Sequence, residues 1–194
     1  MLYTVHPFMV WNLYLAAIPT VLALALFRRP RRLDVSWCLT FGAWLLFLPN
    51  APYVLTDVVH MLGDLHASPS HRYAYAVLVT YALFAASGLV SYVVSMQLFR
   101  RFLHRVAPRR VVLPVLVTVH GLCVIAMYLG RVVRLNSWDV VLAPGRVLES
   151  VVRVPNPYTV VVLAVMFVVV GVGAYVTYAV GDKALAQLRR LTTN

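Results

Sequence analysis

The chain has 194 residues, of which 62% are hydrophobic and only 12% are charged. Because a soluble domain carries about 25% charged residues, this composition excludes an ordinary water-soluble fold and favours about five membrane-spanning helices. The net charge of +11 comes from arginines clustered between apolar runs, which is the pattern that sets topology in a bilayer. We therefore expect membrane lipids, and no nucleic acid, as partners.

Five apolar stretches predict an all-α integral membrane helical bundle, formed by a single membrane domain that covers residues 1–194. In chain order the predicted spans are 9–27, 35–48 followed by a half-helix at 53–65, 73–99, 111–130 and 158–180. The first run has a basic cluster after it and none before it, which is the reverse of a secretory signal peptide.

The distribution of arginines predicts that the N-terminus lies outside the membrane and the C-terminus in the cytoplasm. Twelve of the 17 basic residues fall in the connections near 28–34 and 100–110 and in the C-terminal tail. This orientation places all three segments on the cytoplasmic side, where basic residues are enriched.

The second span is short and ends at two prolines. Residues 35–48 form roughly 21 Å of helix, whereas the hydrocarbon core is about 30 Å thick. Pro49 and Pro52 remove two backbone donors and disfavour helix in the residues before them. The sequence thus predicts a helix broken at Pro49–Pro52, an arrangement that builds binding sites in transporters. A plain kink at the membrane interface is the alternative of equal weight.

Four polar side chains follow the break at spacings of four, three and four residues: Tyr53, Asp57, His60 and Asp64. On an α-helix these spacings give one polar stripe. Asp57 and His60 are the catalytic candidates, and together with Asp64 they are candidate ligands of a divalent metal. The alternative is an interfacial helix whose polar stripe lies among the lipid headgroups.

A second polar motif closes the fourth span. Arg131 and Arg134 are three residues apart, so an α-helix would place both on one face, and guanidinium groups bind phosphate or carboxylate. The topology carries this motif to the depth of Asp57, which predicts an ion pair of Asp57 with one of the two arginines. The predicted binding residues at this outer face are Arg131, Arg134, Asn136, Asp139, Asn50 and Tyr53.

Two features lie deeper in the predicted bundle. His120 is a candidate for function because an imidazole at membrane depth is rare, and the favoured alternative is a neutral histidine bonded to a neighbouring carbonyl or serine. Ser87, Ser91 and Ser95 recur every four residues, a spacing that favours close helix packing.

The motifs LPNAPYVLTD with His60 (residues 48–60) and YLGRVVRLNSWD (128–139) resemble a bacterial family of small multi-pass membrane proteins. That family is catalogued as a domain of unknown function, and the resemblance extends over most of the chain, roughly from the first to the fifth helix. It implies a location in the bacterial cytoplasmic membrane, and it implies no reaction.

These observations lead us to expect an outer-face pocket that binds an anionic group, either a lipid headgroup or a small anion, in a small transporter or lipid-binding membrane protein. One alternative is a membrane-embedded enzyme acting on a lipid-linked or phosphate-bearing substrate. The other is a non-catalytic subunit that pairs with a membrane protein partner or forms a homo-oligomer through the serine stripe.

Overall fold

The computed structural model describes residues 6–28, 34–135, 139–153 and 157–192, and all regular elements in these ranges are helical. In chain order they are α1 Pro7–Phe27, α2 Val35–Phe47, α3 Asn50–Tyr53, α4 Val58–His66, α5 His71–Val106, α6 Arg109–Tyr128, α7 Asp139–Leu142, α8 Pro144–Arg153 and α9 Pro157–Thr192. A 3-10 turn, Val54–Asp57, joins α3 to α4, and a π turn, Leu129–Val133, extends α6.

Five helical segments are long and apolar enough to cross a bilayer: Pro7–Phe27, Val35–His66, His71–Val106, Arg109–Val133 and Pro157–Val176. The prediction of an all-α membrane bundle with five spans is thereby confirmed. Large apolar side chains also cover the outside of the bundle, for example Val160, Val161 and Val165 on α9. Such a surface is stable when lipid tails, and not water, surround it.

Helices α1 and α5 pack side by side at the centre, and α5 also contacts α3, α6 and α9. Side-chain hydroxyl groups link α1 to α5 by hydrogen bonds. Thr20 Oγ1 donates to the carbonyl of Ser91 at 3.1 Å, and Ser91 Oγ donates to the carbonyl of Ala16 at 2.5 Å. Ser95 is buried beside them, whereas Ser87 is exposed. Most of the predicted serine stripe therefore packs inside this chain.

An aromatic cluster holds α1, α2 and α5 together at the end where α1 finishes. Phe27 contacts Trp44 edge-on, with 5.1 Å between ring centroids, and Phe99 lies 4.9 Å from Trp44. Arg105 of α5 donates a hydrogen bond to the carbonyl of Phe27. The last carbonyls of a helix have no partner within it, so this arginine stabilises the end of α1.

The second membrane helix is interrupted between α2 and α3, as predicted, but its backbone stays in the right-handed helical region. Pro52 has no N–H for the carbonyl of Leu48, and the N–H of Ala51 donates to that oxygen at 3.2 Å. The side chain of Asn50 donates to the carbonyl of Phe47 at 3.0 Å. The break is thus a rearrangement of hydrogen bonds and not an extended segment.

Gly88 of α5 provides the space in which α3 lies. A Cβ atom at this position would be 2.3 Å from both the carbonyl oxygen of Ala51 and Cγ2 of Val54. Real side chains do not approach so closely, so only glycine allows this contact. Because Asp57 follows Val54 by one 3-10 turn, the same contact fixes the position of its carboxylate.

Candidate functional site

Asp57 ends the 3-10 turn and is buried, with 1% of its surface exposed. Its Oδ1 accepts a hydrogen bond from Arg131 Nη1 at 3.0 Å, and its Oδ2 accepts one from Asn12 Nδ2 at 3.1 Å. A buried carboxylate is stable only when it is paired and hydrogen-bonded in this way. One side chain therefore joins α1, the interrupted helix and the end of α6, and the predicted ion pair is formed with Arg131.

Arg131 makes two further contacts with the interrupted helix. Its Nη2 donates to the carbonyl of Thr56 at 2.9 Å, and its Cζ lies 5.9 Å from the ring centroid of Tyr53. The guanidinium thus holds both the carboxylate of Asp57 and the adjacent backbone, and the aromatic face adds a cation–π attraction. All of these contacts fix the π turn of α6 against the 3-10 turn.

The predicted stripe of Tyr53, Asp57, His60 and Asp64 is interrupted between Tyr53 and Asp57, because the backbone at Val54–Asp57 winds as a 3-10 turn, whereas His60 and Asp64 lie on the α-helix that follows. Side chains four residues apart point about 120° away from each other when a turn has three residues. His60 Nε2 is 4.0 Å from Asp57 Oδ1, which is too far for a hydrogen bond, and its side chain is half exposed. Among the described residues, no group of three or more His, Cys, Asp and Glu side chains is placed to hold a metal ion.

Asp64 belongs to a second polar group at the start of α1. Its Oδ2 accepts from His6 Nε2 at 2.9 Å and from the Tyr81 hydroxyl at 3.1 Å. The ring of His6 stacks on Phe8, and Phe8 lies 5.0 Å from the ring of His60. Asp64 and His60 therefore tie the beginning of α1 to α4 and α5, and the three metal-ligand candidates do not converge.

Arg134 follows the π turn in the left-handed conformation, with φ 63° and ψ 37°. It is the only non-glycine residue with a positive φ in the ranges that the structure describes. The N–H groups of Arg134 and Leu135 both donate to the carbonyl of Leu129. Glycine is the usual residue at such a helix end. The π turn and this left-handed residue replace the regular α-helix that the prediction of a shared face assumes, and only Arg131 pairs with Asp57 in the described chain.

A cavity of about 400 Å³ lies beside this polar group, between α1, the junction of α2 with α3, and the end of α6. Its walls are largely apolar and include Leu15, Leu46, Phe47, Met127 and Leu129. The amides of Asn12 and Asn50 and the rings of Trp11 and Tyr53 also line it. Arg134 is the only charged side chain in this described lining, and within the described chain its guanidinium has no ion-pair or hydrogen-bond partner.

The remaining predicted binding residues have different positions. Asn50 and Tyr53 line the cavity. Asp139 is the first residue of α7, and its carbonyl accepts from the N–H of Ala143 at 2.8 Å. Asn136 falls outside the described residues.

His120 lies between α5, α6 and α9, and both of its ring nitrogens have partners. Nε2 is 3.1 Å from the carbonyl of Phe167, and Nδ1 is 2.6 Å from the Tyr92 hydroxyl. Since a carbonyl can only accept, Nε2 carries the proton and Nδ1 of the neutral ring accepts from Tyr92. These contacts agree with the alternative of a histidine bonded to a neighbouring carbonyl.

Sequence analysis did not find Asn12, the amide that completes the partners of Asp57. A signal was present, because Asn12 is a strongly polar residue within the first apolar run, and such residues rarely face lipid. Trp11, which lines the cavity, had no comparable signal because tryptophan is common near membrane interfaces. His6, which binds Asp64, had none because it precedes the first apolar run.

Residues 11–172 match the profile of a family described as "Protein of unknown function (DUF1361)". The match covers most of the chain and includes Asp57, Arg131 and Arg134. A search of curated proteins and a search of solved structures each find no match. The chain therefore belongs to this family of proteins of unknown function, as its two long motifs predict.

Proposed function

We propose that the protein binds an anionic group in the cavity at the end of α6, and that Arg134 holds this group. One observation supports the proposal: Arg134 lines the cavity without a partner in the described chain, whereas the charge of Arg131 is already balanced by Asp57. A guanidinium presents a planar set of N–H donors that fits phosphate and carboxylate oxygens.

The lining of the cavity supports an amphiphilic ligand. Apolar walls suit a hydrocarbon segment, and Arg134 suits a negative charge. The phosphate of a lipid headgroup and a free phosphate share this anionic chemistry. The apolar walls favour the lipid.

The same geometry supports binding over the alternatives. Asp57 uses both carboxylate oxygens to hold Arg131 and Asn12, so its role is to position the π turn rather than to transfer a proton. A transport path would require His120 to be available, and its nitrogens are engaged by Tyr92 and Phe167. The packing of Ser91 and Ser95 inside the chain removes most of the surface expected for a partner subunit.

We further propose that the chain lies in the bacterial cytoplasmic membrane with its N-terminus outside, which places the cavity in the outer leaflet. The contact of Arg105 with the end of α1 supports this orientation, because it belongs to the most basic connection of the chain. Five spans then bring the C-terminus into the cytoplasm.

The orientation predicts different labelling of two loop prolines in a protein with Cys38 replaced by serine. In intact cells, a membrane-impermeant maleimide is expected to label Pro69→Cys, between α4 and α5, and not Pro108→Cys, between α5 and α6. Both loops are exposed to solvent, so both variants should react after the membrane is permeabilised. The opposite pattern in intact cells would reverse the proposed topology.

Replacing Arg134 with glycine is expected to weaken anion binding while stabilising the fold. Loss of a charge-assisted hydrogen bond of about 1.5–3 kcal/mol corresponds to at least a tenfold decrease in affinity. Relief of the left-handed conformation is expected to raise the free energy of unfolding by roughly 0.5–1 kcal/mol. Binding would be measured with the purified protein by native mass spectrometry for phosphatidylglycerol and by calorimetry for inorganic phosphate, and stability by thermal unfolding.

Arg72→Gln is the matched control, because Arg72 is exposed at the start of α5, on the same predicted side, and does not line the cavity. A decrease in phosphatidylglycerol binding alone in Arg134→Gly would identify a lipid headgroup as the ligand of this cavity, and a decrease in the binding of both probes would identify a free anion. Both variants lose one positive charge. An equal decrease in affinity in Arg134→Gly and Arg72→Gln would therefore be an effect of net charge and would contradict a site at Arg134.

A further inference from the structure

A second groove, of about 200 Å³, lies between α5, α6 and α9 at the opposite end of the bundle. Val93 and Met96 of α5, Leu116 of α6 and Ala174 of α9 form its apolar wall. The groove follows the direction of the helices, since its α5 residues extend over about two turns. Its shape and composition suit a hydrocarbon chain.

Two polar side chains mark the end of this groove nearest the turn into α6. Gln97 and Arg100 are three residues apart on α5 and therefore share a face of this helix. Within the described chain, neither side chain has an ion-pair or hydrogen-bond partner. Arg100 is exposed and Gln97 is half-buried, so the pair presents an amide and a guanidinium directly beside the apolar wall.

The surroundings of Arg100 are strongly positive. Five arginines lie between residues 100 and 110, and the sequence has no Asp or Glu between Asp64 and Asp139. Arg105 contacts the end of α1, and Arg101 and Arg109 are also exposed. Such a concentration of basic residues attracts anionic lipids to this end of the bundle.

We infer that this groove binds one anionic phospholipid of the leaflet on that side, and that Arg100 holds its phosphate. The acyl chain lies along Met96 and Leu116, and the amide of Gln97 donates to an ester carbonyl or a phosphate oxygen. An anionic headgroup is favoured over a zwitterionic one because α5 and α6, which form most of the groove, contain no Asp or Glu that could receive a choline or ethanolamine cation. The site is separate from the cavity at Arg134 and does not depend on the function proposed for it.

The test compares two neighbouring arginines of the full-length protein. Arg100→Gln is expected to lower the affinity for dioleoyl phosphatidylglycerol about tenfold by native mass spectrometry, whereas Arg101→Gln should change it less than twofold. Arg101 is also exposed but points about 100° away around α5. Both variants keep the cavity at Arg134, so the difference between their affinities for phosphatidylglycerol reports on this groove alone.

A third variant tests the acyl chain without changing charge. Leu116→Trp fills the groove and is expected to lower phosphatidylglycerol binding about as much as Arg100→Gln. Dioleoyl phosphatidylcholine is expected to bind the wild type at least tenfold more weakly. Equal effects of Arg100→Gln and Arg101→Gln, unchanged binding by Leu116→Trp, or equal binding of the two lipids would each overturn the inference.

Discussion

Replacing Asp57 with alanine is expected to lower the free energy of unfolding by about 3 kcal/mol, the loss typical of a broken buried ion pair. The change removes the acceptor of both Arg131 and Asn12. Arg131 would be left without a counterion. Because 27% of its side chain is exposed to solvent, we expect a loss at the lower end of the range of about 3–5 kcal/mol for buried pairs. The measurement is reversible unfolding in mixed micelles with increasing denaturing detergent.

A double-mutant cycle separates this pair from general loss of packing. Arg131→Ala alone should be similarly destabilising, and the double variant should be less destabilised than the sum by roughly 1–3 kcal/mol. Asp64→Ala serves as the comparison, since that carboxylate is more exposed, and we expect a loss of about 1 kcal/mol. Strictly additive effects of the Asp57 and Arg131 substitutions would show that the contact contributes nothing to stability.

Replacing Gly88 with alanine is expected to lower the free energy of unfolding nearly as much as Asp57→Ala does, although it adds only a methyl group. The new Cβ would lie 2.3 Å from the carbonyl oxygen of Ala51, so α3 must move away from α5. Overpacking of this kind lowers stability by about 1–3 kcal/mol. Because the displaced segment continues into Asp57, the variant should also lose the anion binding proposed for the cavity. Thermal unfolding and lipid binding would be measured on the same sample.

Gly42→Ala is the matched control, because no atom lies within 4 Å of a Cβ built at this position of α2. Alanine has the higher helix propensity by up to about 1 kcal/mol, so this variant should be as stable as the wild type or more stable. If Gly88→Ala unfolded at the same temperature as Gly42→Ala, the close approach of α3 to α5 would be refuted.

The five spans and the pairing of Asp57 with an arginine could be predicted from sequence because both follow from long-range patterns. Apolar runs set the number of crossings, and the number of crossings decides which loops share a side of the membrane. Once the interrupted helix and the fourth span end on the same side, an acid and an arginine at equal depth attract each other strongly. Only the structure shows that Arg131, and not Arg134, is the ion-pair partner of Asp57.

The choice of Arg131 as this partner depends on local backbone geometry, which residue spacing does not reveal. The spacing of the polar stripe assumes 3.6 residues per turn, but a 3-10 turn with three residues per turn separates Tyr53 from Asp57. In the same way, the π turn and the left-handed Arg134 change the direction of the chain after Arg131. The regular α-helical geometry that the residue spacing assumes therefore does not hold at either of these two turns.

Because hydroxyl groups join α1 to α5, the free energy of separating these two helices should have an unusual temperature dependence. Thr20 and Ser91 bond across the contact, and lipid tails would surround the two helices if they separated within a bilayer. The heat capacity of unfolding rises when apolar surface becomes hydrated, and here little surface would meet water. The free energy of separating α1 from α5 should therefore vary almost linearly with temperature, without the curvature that leads to cold denaturation.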